Sequence, residues 1–498
     1  MENNAGRGGS SAEGLYRLLP SVNDLLLTDD IAALVESRTR SGVVSAARKI
    51  LERMRNEIAQ GLHSRTSLLD GVAALPAAIA EELSRPYPYS LRRVINATGV
   101  ILHTNLGRAP LSKPALKHLV QVARGYSNLE FDLESGERGK RDVHVESLIL
   151  ALLGNKEDFA ETHRAIVVNN CAAATFLALH VLAQGKDVIV SRGELVEIGG
   201  GFRIPEIMKE SGAIMREVGT TNRTHLADYE DVISSNTGLI LRVHQSNFSM
   251  DGFVARPGLE ELVGLGKRAG VPVFEDQGTG LLHSLEPYGI HGEVTVMDSL
   301  GAGCDLVAAS GDKLLGGPQC GVLIGRKGLI EKIRKSPLFR ALRVDKLTYA
   351  ALEGTLAQYL CGASEAIPTV RMLKLEPQQI KSRCEQIVTK LVARGLTAEV
   401  VPVESLIGGG TTPKAKLQSY AIALKHSSIA ADSLLSELRR CETPVIARIN
   451  DECVLLDLRT VDADSDQPLV EMLNKLSVAE RAQAEPNAET VTVDGSGR

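Results

Sequence analysis

Residues 305–318 read Asp-Leu-Val-Ala-Ala-Ser-Gly-Asp-Lys-Leu-Leu-Gly-Gly-Pro. The first half is a short apolar run of the kind that forms a buried strand, and Gly316-Gly317-Pro318 closes the second half as a turn. Lys313 follows the strand by three residues, where burial would lower its pKa and make it a nucleophile. A lone lysine is usually surface, so the surrounding runs decide the reading. Ala165–Asn169, Asp187–Ser191, Gly238–His244, Val271–Asp276 and Gly321–Gly325 are further β-rich runs separated by helical stretches. That alternation predicts an α/β fold whose mostly parallel central sheet is covered by helices on both faces.

Ligands of such sheets bind beyond the carboxyl ends of the strands. After the first run comes Asn169-Asn170-Cys171-Ala172-Ala173-Ala174-Thr175, small residues opening a helix, whose free amides and dipole suit a phosphate. An ordinary strand-to-helix turn would look the same. Asp276 ends an apolar strand and needs a partner, or else caps a helix. Phosphate cradle, aspartate and lysine in that order are what pyridoxal 5′-phosphate requires. Asn170, Cys171, Ala172, Ser310, Asp276 and Lys313 are then the cofactor-binding set, with Asp276 on the ring nitrogen and Lys313 forming the imine.

The rest of the 498-residue chain sets limits. A formal net charge of −5 excludes a uniformly basic coat for nucleic acid but not a local patch. Aromatics at 3% argue against a surface that stacks single-stranded bases. Seven scattered cysteines without a CxxC pair argue against a disulfide framework or a zinc site, and no metal is expected. No apolar run is long enough for a bilayer, so no membrane partner is expected and the cytoplasm is the expected location.

Residues 1–14 and 479–498 read as disordered, and 15–85 as a helical domain. In that domain Arg38, Arg40, Arg48, Lys49, Arg53, Arg55 and Arg65 face only Glu52 and Glu57 from Arg38 to Arg65. A solvated helix face is the ordinary meaning of such a run. Ser84–Ser90, with two prolines, marks a linker that opens an active-site approach segment over 86–160. The large α/β domain spans 161–358, and 359–478 form a small C-terminal α/β domain with its own sheet.

Four motifs carry a closer resemblance. Residues 92–111 (RRVINATGVILHTNLGRAPL), 191–200 (SRGELVEIGG), 243–248 (VHQSNF) and 310–319 (SGDKLLGGPQ) resemble those of bacterial L-seryl-tRNA(Sec) selenium transferases, the selenocysteine synthases of fold-type I. The likeness runs from about Leu15 to Val470. Two departures stand out: Asp276-Gln277-Gly278-Thr279-Gly280 where Asp-Leu-Gly-Ser-Gly is expected, and Cys171 where alanine is usual.

The resemblance implies a fold-type I pyridoxal-phosphate transferase that converts seryl-tRNA(Sec) to selenocysteinyl-tRNA(Sec). Water is lost to leave a dehydroalanyl group, and selenium from selenophosphate adds to it. Lys313, and Asp312 beside it, would be catalytic; Arg108, Arg340 and Arg343 would hold selenophosphate. Three residues apart, Arg340 and Arg343 are expected to share a helix face and fork onto one phosphate. The basic helical domain would grip the tRNA, with Arg38, Arg48, Arg53 and Arg55 as candidates. The resemblance also implies a homo-oligomer, a ring of dimers, and no DNA. For His103, Asn105 and His244, site and structural roles are both open. Two alternatives stand beside this reading. A β-eliminating lyase of small amino acids would lack the helical module that is intact from Leu15 to about Ser67. A non-catalytic tRNA-binding scaffold would have no need of Asp276 and Lys313.

Overall fold

The computed structural model describes residues 14–59, 63–84, 89–154, 158–198, 201–413 and 415–476. Of the disorder expected for 1–14 and 479–498, all but Gly14 lies outside these residues, as do positions 85–88 of the linker; Gly14 is helical. The chain folds as two compact units, Met1–Arg92 and Arg93–Arg498.

The first unit is helical: α1 (Val22–Leu26), α2 (Asp29–Ser37), α3 (Arg40–Ala59), α4 (Arg65–Ala73) and α5 (Leu75–Ser84). Ser21 and Ser64 begin α1 and α4 with reciprocal capping bonds. Val43, Ala47, Ile50, Leu51, Met54 and Ile58 recur at helical spacing and bury one stripe of α3 against Ile31, Leu68, Leu75 and Ile79. Arg38, Arg48, Arg53 and Arg55 are exposed. Arg53 and Arg55 pair with Glu57 and Glu52 on the same helix.

The second unit is built on seven strands: β1 (His163–Val168), β2 (Asp187–Ser191), β3 (Ile214–Val218), β4 (Thr237–Val243), β5 (Val273–Gly278), β6 (Leu306–Ser310) and β7 (Gly321–Arg326). Their order is β1-β7-β6-β5-β4-β2-β3. Only β7 runs against the direction of the other six. Strand β3 has no counterpart among the predicted runs. It lies at the sheet's edge with Ile214 exposed, so it carries no continuous apolar signal. The central strands do, and they feed two apolar clusters, one on each face.

Helix α6 (Cys171–Ala183) is apolar nearly all round and buries Leu177, Ala178, Leu179 and Leu182 on one of those faces. A four-stranded antiparallel sheet of β8 (Leu396–Leu406), β9 (Lys416–His426), β10 (Arg448–Asn450) and β11 (Cys453–Asp457) forms the expected C-terminal layer. Ile380, Cys384, Leu434, Leu438 and Leu469 from its helices cover it. The approach segment runs along this layer. Ile95 and Asn96 pair with Val445 and Ile446, and Val100 bridges to Leu406. It then turns at His103–Arg108 toward the central sheet, where the Ala109 amide donates to the Asp312 carbonyl at 3.2 Å.

Candidate active site

The carboxyl ends of β1, β4, β5 and β6 lie on one edge of the sheet. They surround a cavity of about 220 Å³ lined by Asn170, Cys171, Ala172, Ser246, Asp276, Ser310, Asp312, Lys313 and Arg108, among others. The sequence-predicted cofactor set therefore comes together at one place.

At the end of β1, Asn170 caps α6 by accepting the Ala173 amide at 2.8 Å. That leaves the Cys171 and Ala172 amides, the first of the helix, without a helical acceptor. On β5, Asp276 accepts from Thr175 Oγ1 at 2.9 Å and from Cys171 Sγ at 3.4 Å. Burial pushes its carboxyl above the ordinary range, and these two donors with the Lys313 charge oppose that. Burial raises the Cys171 thiol further still, so it stays protonated and acts as a donor rather than a nucleophile.

Lys313 is 7% exposed. Burial lowers its pKa, opposed by the carboxylates of Asp276 and Asp312. Its Nζ donates to the Gly410 carbonyl at 2.8 Å. The turn behind it is fixed from β5, since the Leu314 amide donates to the Thr279 carbonyl at 3.0 Å. Gly280 is required at this crossing: its φ is +69°, and a Cβ would stand 2.1 Å from the Ser310 carbonyl oxygen. Gln277, one of the two departures, is buried and serves the same turn. Its Oε1 accepts the Gly280 amide at 2.9 Å and its Nε2 donates to the Val294 carbonyl at 3.0 Å.

Asp312 lines the same cavity and accepts from Arg108 Nη1 at 2.8 Å. Arg108 holds a left-handed backbone, φ 59°, a costly conformation for a non-glycine residue that is common at functional sites. Arg340 and Arg343 are elsewhere, and the expected shared helix face is not formed. The helix ends at Leu342, and Arg343 continues in extended geometry to pair with Glu130 at 3.4 Å, in a separate cavity of about 230 Å³. The bridge of Arg343 to Val168 extends the backbone and stops the helix. Asn105 is exposed, and His103 buries an Nδ1 that has no partner among the described residues. His244 lines the cavity, and its Nε2 is 3.3 Å from Glu293.

Sequence reasoning missed Thr175, Ser246 and Gly410. Ser246 is 3% exposed, lines the cavity, and its hydroxyl has no partner among the described residues. Its place in the VHQSNF motif and the run Gly408-Gly409-Gly410 were the available signals.

The residues fit pyridoxal 5′-phosphate: two free helix amides, an orphaned buried hydroxyl, a buried carboxylate and a buried amine converge on one space. The family model described as L-seryl-tRNA selenium transferase matches residues 94–462, and that described as selenocysteine synthase N terminal matches 16–55. An L-seryl-tRNA(Sec) selenium transferase of Geobacter sulfurreducens is 45% identical over 92% of this chain and 98% of its own. One of Aquifex aeolicus is also 45% identical, over 87% of this chain and 94% of its own. Among solved structures, a D-glucosaminate-6-phosphate ammonia-lyase superposes with a TM-score of 0.53 at 18% identity, over 77% of this chain and 95% of its own. That is a likeness of fold.

Proposed function

The chain belongs to the L-seryl-tRNA(Sec) selenium transferase family, and from that premise we propose that it converts seryl-tRNA(Sec) and selenophosphate to selenocysteinyl-tRNA(Sec) and phosphate in the cytoplasm. The observation that carries the reading is the buried amine of Lys313 in one cavity with the carboxylate of Asp276. Pyridoxal 5′-phosphate, when bound, supplies an electron sink that acidifies the seryl Cα proton.

Lys313 is the amine that would carry the cofactor. Its lowered pKa keeps a larger neutral fraction, so once released it can take the Cα proton and later return one. Asp276, held by Thr175 and Cys171, would place a negative charge at the ring nitrogen. The amides of Cys171 and Ala172 would take the phosphate. The seryl group loses its β-hydroxyl as water and gains selenium in its place, while water cleaves the Se–P bond of selenophosphate and carries the phosphoryl group off as phosphate. Arg108, oriented by Asp312, would bind the selenium donor's anion from the mouth of the cavity. Arg340 and Arg343 lie off this cavity, so we assign them to the anion only across a contact between copies in a homo-oligomer. The exposed arginines of the first unit, Arg38 and Arg48 foremost, would hold the tRNA backbone.

Incubation with seryl-tRNA(Sec) and selenophosphate, followed by deacylation and mass spectrometry, tests the reading. Selenocysteine is the expected product. Unchanged serine from protein that binds the cofactor would overturn it in favour of a lyase acting on small amino acids.

A further inference from the structure

A second cavity, of about 460 Å³, adjoins the first. His244 lines both and forms the wall between them. Phe248, Met250, Arg256, Glu293 and Lys416 are among its other lining residues. Phe248 is 36% exposed. Arg256 is exposed and makes no ion pair or side-chain hydrogen bond among the described residues. Partial burial and the neighbouring Arg242 charge lower its pKa, opposed by the carboxylates of Glu194, Glu275 and Glu293, none of which is within ion-pair distance among the described residues. Lys416, by contrast, is spent on Glu404 at 2.6 Å.

We propose that this cavity receives the terminal nucleoside of the acylated RNA, with the base against Phe248 and the preceding phosphate on Arg256. The inference rests on the acyl-tRNA reading above and deepens it. In an aminoacyl-tRNA the amino acid is an ester of the terminal ribose, so one ester linkage separates the seryl Cα from the nucleoside. With Cα beside Lys313, the ribose must leave the first cavity and enter a space next to it. The cavity behind His244 is such a space, and it holds an aromatic face and an unspent cation. One ring for one base needs no stacking surface of many aromatics, so the low aromatic content does not oppose it.

The test compares binding of uncharged tRNA(Sec) carrying its terminal adenosine with binding of the same tRNA lacking that nucleoside. The cofactor-loaded full chain and its Phe248→Ala, Phe248→Tyr and Arg256→Gln variants would each be titrated. Wild type is expected to prefer the complete RNA by about tenfold, the size of one base–aromatic stack. Phe248→Ala should abolish the preference, Arg256→Gln should reduce it, and Phe248→Tyr should keep it. Affinity for the shortened RNA should stay constant throughout, which a misfolded variant would not show. Equal affinity of wild type for both RNAs, or an undiminished preference in Phe248→Ala and Arg256→Gln, overturns the site while leaving the acyl-tRNA reading intact. Failure of wild type to bind either RNA overturns that reading and the site together.

Discussion

The Nζ of Lys313 donates to the Gly410 carbonyl at 2.8 Å, joining the loop after β6 of the central sheet to the loop after β8 of the small one. The two layers thus share the amine on which the chemistry depends. Gly410 has φ +78°, and a Cβ there would lie 3.0 Å from that Nζ. Gly410→Ala therefore costs about 1–2 kcal/mol of backbone strain and displaces the amine. We expect turnover to fall about tenfold or more with the circular dichroism spectrum retained. Wild-type turnover in this variant would show that the contact does not position Lys313.

Lys313→Ala should abolish cofactor attachment and lower turnover by at least about 10²–10⁴-fold, the usual worth of a positioned acid–base group. In wild type, burial lowers the pKa of the amine, so the neutral fraction appears at lower pH than for an exposed lysine. The rate of cofactor capture by cofactor-free protein should accordingly rise with pH, with a midpoint below the ordinary lysine range. A midpoint in the ordinary range would refute the burial argument, and turnover by Lys313→Ala would refute the assignment.

Thr175→Val removes a hydrogen bond that lowers the Asp276 pKa against the larger effect of burial. The variant's carboxyl should titrate higher, moving the acid limb of the pH–rate profile to higher pH. The same linkage acts on stability. The folded chain holds the Asp276 proton more tightly than the unfolded one, so this group's contribution is full below the ordinary carboxylate range. It is lost as pH rises through the folded value. Melting curves of cofactor-free wild type and variant should diverge in that sense, and superimposable pH profiles would count against it.

Arg108→Gln breaks the bond to Asp312 and removes a cation from the mouth of the cavity. We expect KM for selenophosphate to rise about tenfold or more, as a charge-assisted contact is worth, with tRNA affinity unchanged. An equal loss for both substrates would mean a structural role only.

Arg38 and Arg48 are exposed and form no ion pair among the described residues, whereas Arg53 and Arg55 are partly neutralised by neighbours. Arg38→Ala with Arg48→Ala should weaken tRNA binding and lower the slope of log affinity against log salt by about 1 for each phosphate left without its arginine. Cofactor binding should not change. An unaltered salt slope would remove these residues from the RNA interface.

Much of the second unit was legible in the chain. Strands β1, β2, β4, β6 and β7 announced themselves because each buries a short apolar run, and β5 did so through the apolar start that precedes its polar end at Glu275–Gln277. The edge strand β3 escaped because one side meets solvent and polar residues are tolerated there. The helix expected to unite Arg340 and Arg343 failed for a non-local reason: Asn169 takes the Leu342 carbonyl, and Arg343 is drawn alongside Val168 in extended form. Periodicity within a segment cannot register a competitor that lies more than 170 residues away.

By itself, then, the sequence determined the α/β alternation and the strand ends at which Lys313, Asp276 and the helix start at Cys171 stand, because each is local: a run of burial, a turn, a helix start. Only the tertiary structure decided what surrounds them. It brought Thr175 to Asp276 across 101 residues, Gly410 to Lys313 across 97 and Arg108 to Asp312 across 204. It also left Ser246 buried without a partner beside them. Hydrogen bonds of that kind form where layers pack, and packing is a property of the whole sheet rather than of any stretch within it.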